Sequence, residues 1–119
     1  MRQILIVEDN PVNITLIINM LGDDFDIVVS TDAEDAKEHL LTEKPDVILS
    51  DIYLGNTNGL ELCKSVKSSP NLKDIPVIVM TAASSPTIKD EAFQAGADYF
   101  LEVPFKNESL IYALAEALE

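Results

Sequence analysis

Ile4, Leu5, Ile6 and Val7 follow one another without a polar residue and stop at Glu8-Asp9. Val47, Ile48 and Leu49 repeat the pattern and stop at Ser50-Asp51, and the run from Val77 to Met80 stops at Thr81. Unbroken apolar runs of this length read as strands covered on both faces, whereas a strand with one wet face alternates. Buried strands are therefore predicted at residues 3–7, 46–50 and 77–80, with shorter ones at 26–30 and 99–101. Between the strands the period changes. Ile14, Ile17, Ile18 and Leu21 recur at helical spacing, Asn10 suits the cap, Pro11 the first helical position and Gly22 the end. Thr31-Asp32-Ala33-Glu34 reads as a capping box opening a helix to about residue 42, beyond which Pro45 blocks continuation. A third helix is predicted over 60–68, with Leu60, Cys63, Val66 and the stem of Lys67 inward, broken by Ser69-Pro70-Asn71. Ser84-Ser85-Pro86 repeats the cap-plus-proline start for a helix running to Gly96. Val103-Pro104-Phe105 is a turn, and Asn107 is expected to cap a last helix whose inner positions are Leu110, Ile111, Leu114, Ala117 and Leu118.

Strand and helix alternate five times with short connections. That order predicts an α/β fold, a parallel sheet with helices on both faces and right-handed crossovers. No linker, repeat or low-complexity stretch divides the 119 residues, which read as one domain over 1–119.

Charge narrows the function. With 21 acidic residues against 8 Lys and Arg the net charge is −13, so the domain has no clustered cations for nucleic-acid phosphates or an anionic membrane. The start, Met1-Arg2-Gln3, runs into a strand without a signal peptide's apolar core, and no apolar run approaches the roughly 18 residues of a membrane span. A cytosolic (cytoplasmic) setting is the expectation. Cys63 is the single cysteine, which excludes an intrachain disulfide; its helical position reads as a small buried residue rather than a reactive thiol.

In a parallel α/β sheet ligands bind beyond the carboxyl ends of the strands. Three strand ends here carry Glu8-Asp9, Asp51 and Thr81, so three carboxylates and a hydroxyl should converge there. Crowded carboxylates repel and raise one another's pKa unless a cation compensates. Oxygen ligands without His or Cys favour a hard ion, Mg²⁺ above all. A plainer reading stays open: Glu8 and Asp9 also suit a helix N-terminus, where a carboxylate gains about 0.3–1 kcal/mol. With a cation bound, Asp51 could attack phosphorus to form an acyl phosphate, and Thr81 could hydrogen-bond a phosphoryl oxygen. Taken alone, Thr81 reads more readily as a strand end with no ligand.

Several motifs in order extend this reading. Ile4-Leu5-Ile6-Val7-Glu8-Asp9-Asn10, residues 46–54 around Asp51, Gly59, Pro76-Val77-Ile78-Val79-Met80-Thr81-Ala82, Ala95-Gly96-Ala97-Asp98-Tyr99-Phe100 and Pro104-Phe105 resemble the receiver domain of bacterial response regulators from end to end. The resemblance implies a Rossmann-like, flavodoxin-like (βα)5 three-layer fold with strand order 2-1-3-4-5. It implies phosphorylation of Asp51 by a histidine kinase or histidine phosphotransfer protein, in two-component signalling. It further implies Mg²⁺ held by Glu8, Asp9, Asp51 and the Tyr53 backbone carbonyl, and a switch pair of Thr81 and Phe100. Such a domain is a phosphoacceptor with at most slow autodephosphorylation rather than an enzyme, and it acts on a downstream protein target or attached effector domain. By the same resemblance the fourth helix, fifth strand and fifth helix form the partner surface.

Val103 departs from the family, which has Lys immediately before this Pro. Loss of that cation from an acidic pocket would leave Mg²⁺ with more of the balancing and weaken the switch. Lys106 lies past the Pro on the way into the last helix, and Lys89 has less claim to reach the site. Gly55 stands where the family often has Pro and should loosen the loop after Asp51. The Val103-Pro104 bond is expected to be cis. His39, mid-helix and without a four-helix phosphotransfer pattern around it, reads as an ordinary surface histidine, and Phe105 as a packing or partner-facing residue.

Three functions compete. A phosphoaccepting switch leads. An atypical receiver, working as a protein-interaction module independent of phosphate, is favoured by Val103. An Asp-nucleophile hydrolase or a nucleotide binder is disfavoured. Such hydrolases want a second Asp two residues after the first, where Tyr53 stands, and Glu8-Asp9-Asn10-Pro11 is no glycine-rich loop.

Overall fold

The computed structural model describes residues 1–55 and 57–119; Asn56, in the polar cluster after Asp51, lies outside the described residues. The main strands are β1 (Gln3–Val7), β2 (Asp26–Ser30), β3 (Val47–Asp51), β6 (Val77–Thr81) and β7 (Tyr99–Glu102). All neighbours pair parallel, in the order β2-β1-β3-β6-β7. Counting only these five, the order is the expected 2-1-3-4-5. Two short strands, β4 (Tyr53–Leu54) and β5 (Thr57–Asn58), form a separate antiparallel hairpin in the loop after Asp51. No alternation marks them in the chain, because two-residue strands are too short to show one.

The helices are α1 (Pro11–Leu21), α2 (Ala33–Thr42), α3 (Gly59–Ser68), α4 (Pro86–Gln94) and α5 (Asn107–Ala117). Successive strand residues point to opposite faces, and the core divides accordingly. Leu5, Val7, Ile48, Val77 and Val79 face α2, α3 and α4 through Ala36, Leu62, Cys63, Val66 and Ala92. Ile4, Ile6, Val47, Leu49, Ile78 and Met80 face α1 and α5 through Ile17, Leu21, Leu110 and Leu114. The apolar runs of β1, β3 and β6 are unbroken because both faces are covered.

Several local expectations need correction. The cap of α2 is Asp32 rather than Thr31, its carboxylate accepting the Asp35 N–H at 2.7 Å. Asn107 is the first helical residue of α5 and not its cap; Lys106 stands at the cap position without a side-chain bond. Ile111 and Ile18 face outward, 46% and 37% exposed. Their faces are instead buried by Ala113 and Leu114 in α5 and by Ile17 and Leu21 in α1. His39 is not free at the surface: its Nε2 lies 3.3 Å from Glu43 Oε2 and 3.4 Å from Gln3 Oε1. No described helix is long and apolar enough to cross a membrane.

At the edge of the sheet where strands begin, Lys67 Nζ donates to the Ile75 and Lys73 carbonyls at 2.8 and 3.2 Å and pairs with Asp98 Oδ2 at 2.9 Å. Asp98 Oδ2 also accepts the Val77 N–H at 2.9 Å. This cluster ties α3, the loop before β6 and the start of β7 together. It explains the inward stem of Lys67 and the aspartate of Ala95-Gly96-Ala97-Asp98.

Candidate phosphoacceptor and metal site

Register builds the site. Val7 pairs with Ser50 across β1 and β3, so the next residues, Glu8 and Asp51, leave the sheet side by side. Asp51 pairs with Met80, which puts Thr81 one step beyond it on β6. Strands about 4.8 Å apart therefore deliver their terminal side chains into mutual reach. One carboxylate oxygen each from Glu8, Asp9 and Asp51 lies within 4.8 Å of the others.

Asp51 is half-buried at the end of a platform whose preceding apolar residues are wholly buried. Its Oδ1 accepts the Tyr53 N–H at 3.2 Å. Its carbonyl accepts the Ser50 hydroxyl at 3.0 Å, and Gly59 N–H closes the loop on the Ile52 carbonyl at 2.7 Å. A Cβ on Gly59 would stand 1.9 Å from the Asp51 carbonyl oxygen, so only glycine lets the start of α3 lie against the acid's own backbone. Gly55 takes φ 58°, a conformation closed to the proline that the family often has there. A Cβ at Gly55 would lie 3.6 Å from Asp9 Oδ2, so this turn sits beside the acids.

Glu8 is completely buried, whereas Asp9 is exposed. The Glu8 carboxylate accepts the Asp9 N–H on Oε2 at 3.0 Å and the Asn13 side-chain amide on Oε1 at 2.9 Å. Burial pushes the Glu8 pKa up to about 7; the Asn13 hydrogen bond opposes that rise and the neighbouring Asp51 adds to it. Among the described residues no ion pair reaches these three acids. Three carboxylates with no nitrogen or sulfur ligand, one half-buried and one exposed, suit a hard divalent cation that keeps part of its water shell.

The remaining predicted residues have neighbours of their own. Thr81 is fully buried, and its Oγ1 accepts the Ala83 N–H at 3.0 Å. Phe100 is half-buried, its ring 6.5 Å from that of Phe93 and 6.0 Å from Lys89 Nζ. Lys89 therefore lies over an aromatic face, and Lys106 is exposed at the start of α5. Val103 is half-buried against the α1 and α5 side of the core, and Val103-Pro104 is cis. Val103 shares an apolar cavity of about 70 Å³ with Asn13, Leu16, Met80 and Phe105. A short apolar side chain thus stands at the position where the family resemblance puts a lysine. Cys63 is buried and its thiol is pushed up to about 11, chiefly by burial, as befits a packing residue.

Asn13 is the site residue that the sequence reading missed. Its signal was position: five residues after Glu8, in the first turn of the helix that the acids precede.

The model of the response regulator receiver domain matches residues 4–115. Heme response regulator HssR of Staphylococcus saprophyticus is 31% identical over 120 residues, covering 100% of this chain and 52% of its own. The chain thus spans about half the length of that curated relative. Among solved structures, the receiver domain of sensor histidine kinase PA1611 from Pseudomonas aeruginosa PAO1, with a magnesium ion coordinated in its active-site cleft, superposes with TM-score 0.89 at 30% identity, covering 98% of this chain and 97% of its own. Chemotaxis response regulator CheY4 of Vibrio cholerae gives 0.90 at 28%, covering 99% of both chains. With the five-stranded order, the acids at its rim and the match over residues 4–115 in agreement, the chain belongs to the response regulator receiver domain family.

Proposed function

We propose that this domain is a Mg²⁺-dependent phosphoacceptor, taking a phosphoryl group onto Asp51 from a histidine kinase or histidine phosphotransfer protein in the cytoplasm. The observation that carries the reading is the convergence of Glu8, Asp9 and a half-exposed Asp51 at the carboxyl edge of the sheet. Glu8, Asp9, Asp51 and the Tyr53 carbonyl are the proposed metal ligands. Bound there, Mg²⁺ would neutralise charge on the phosphoryl oxygens. An Asp51 carboxylate oxygen forms the new bond to phosphorus, the phosphorus–nitrogen bond of the donor histidine breaks, and the imidazole leaves with the bonding pair and takes up a proton. Thr81 then gives up its bond with the Ala83 N–H and turns its hydroxyl to a phosphoryl oxygen. Phe100, at the surface between Phe93 and Lys89, moves inward into the space this opens. The output passes to a downstream protein or an attached effector domain through the surface of α4, β7 and α5.

A second reading has one observation in its favour. Val103 presents methyl groups to an apolar cavity where the phosphate-pairing lysine of the family would stand. The domain would then bind its partner whether or not Asp51 is modified. Beryllofluoride with Mg²⁺ tests both. The switch reading expects shifts of the Asp51, Thr81 and Phe100 amide signals, absent in Asp51→Asn and enlarged in Val103→Lys. A silent titration in the parent chain that becomes responsive in Val103→Lys would favour the second reading.

A further inference from the structure

We infer that Asn13 is the positioning residue for Glu8, holding its carboxylate at the acid cluster with a neutral donor. This rests on the metal-binding reading above and deepens it. Among the described residues, the Asp9 N–H and the Asn13 amide reach the buried Glu8 carboxylate at 3.0 and 2.9 Å, one on each oxygen. The Asp9 N–H is the adjacent backbone and travels with the loop. The Asn13 amide, 2.9 Å from Oε1, belongs to the first turn of α1 and ties the acid to a different element. Glutamate has three side-chain torsions, so one oxygen held from its own loop leaves the other free to swing. The Asn13 backbone is itself placed by the cap, its N–H 3.3 Å from Asn10 Oδ1. The Asn13 side chain also borders the apolar cavity walled by Val103 and Leu16. A neutral donor also has an electrostatic consequence. A lysine or arginine here would orient Glu8 but cancel part of the charge that attracts a dication; an amide orients it and leaves that charge in place.

A double-mutant cycle read by Mg²⁺ affinity tests this, using calorimetric titration of the intact chain with MgCl₂ at about pH 8. Asn13→Leu keeps the branched shape and the helix but removes the donor, and should weaken Mg²⁺ about tenfold. In a Glu8→Asp background the shortened acid no longer reaches position 13, so adding Asn13→Leu should change affinity less than about twofold. Glu8→Asp with Asn13→Gln moves a methylene from one partner to the other and should recover most of the affinity lost in Glu8→Asp. Unaltered affinity in Asn13→Leu, or the same loss in both backgrounds, overturns the inference while leaving the metal site standing. A folded parent chain that binds no Mg²⁺ overturns the metal reading and this inference with it. Far-UV circular dichroism checks folding, and Asn13→Ser carries the same comparison should the leucine variant not fold.

Discussion

Glu8 stands where an ionised acid is least comfortable, fully buried beside Asp51. Its pKa near 7 instead of 4.5 means that the folded state holds the proton more tightly than the unfolded chain. The stability this contributes is fully present below about pH 4.5 and is lost as pH rises through about 7. The metal-free domain should therefore lose stability between pH 5 and 8, and Glu8→Gln should flatten that part of the profile in urea unfolding. An equal slope in both proteins would refute the assignment. Metal needs the ionised acid, so Mg²⁺ affinity should fall below about pH 7 as bound protons are displaced, visible as buffer-dependent binding heat. Gly59 makes the complementary residue-scale case. Gly59→Ala forces a methyl into the Asp51 carbonyl, and something must shift. A loss of about 1–3 kcal/mol in urea unfolding is expected, with weaker Mg²⁺ binding because the acid moves with its backbone.

At the scale of elements, the two rims of the sheet do different jobs. The rim where strands end gathers acids, and the rim where they begin is closed by Lys67. Its ammonium serves two carbonyls and Asp98, so Lys67→Met takes a donor from both carbonyls and leaves Asp98 with the Val77 N–H. A loss of about 1–3 kcal/mol is expected, with faster amide exchange in the loop before β6. Mg²⁺ affinity should not change, since the acids lie at the opposite rim; a change of more than about threefold would argue against that separation. The β4–β5 hairpin is the element that shapes the other rim. Gly55 lies beside Asp9, so this hairpin borders the acids.

Over the whole molecule, a net charge of −13 sets a strongly acidic chain around a site proposed to hold a dication. Attraction is long-ranged and screened by salt, so raising NaCl should weaken Mg²⁺ binding. Binding to the folded state alone should raise stability by about 2.7 kcal/mol when free Mg²⁺ is a hundred times its dissociation constant, seen as a raised melting temperature. Asp51→Asn should remove most of that gain; an undiminished rise would place the ion elsewhere on the acidic surface.

The order of elements, the two-sided sheet and the acids at its edge were legible in the chain itself. Unbroken apolar runs, helical spacing and cap residues such as Asn10 and Ser85 act over a few neighbours, and that range is written in sequence. Tertiary structure decided what depends on distant parts meeting. Asn13 reaches Glu8 only because α1 turns back beside β1, and Lys67 finds Asp98 only once β6 and β7 lie side by side. Ile111 faces out because α5 meets the sheet through Leu110, Ala113 and Leu114, a rotation that its apolar pattern left open. Local propensity acts within a turn of helix or a step of strand, whereas burial, register and shared protons are properties of surfaces that exist only after folding.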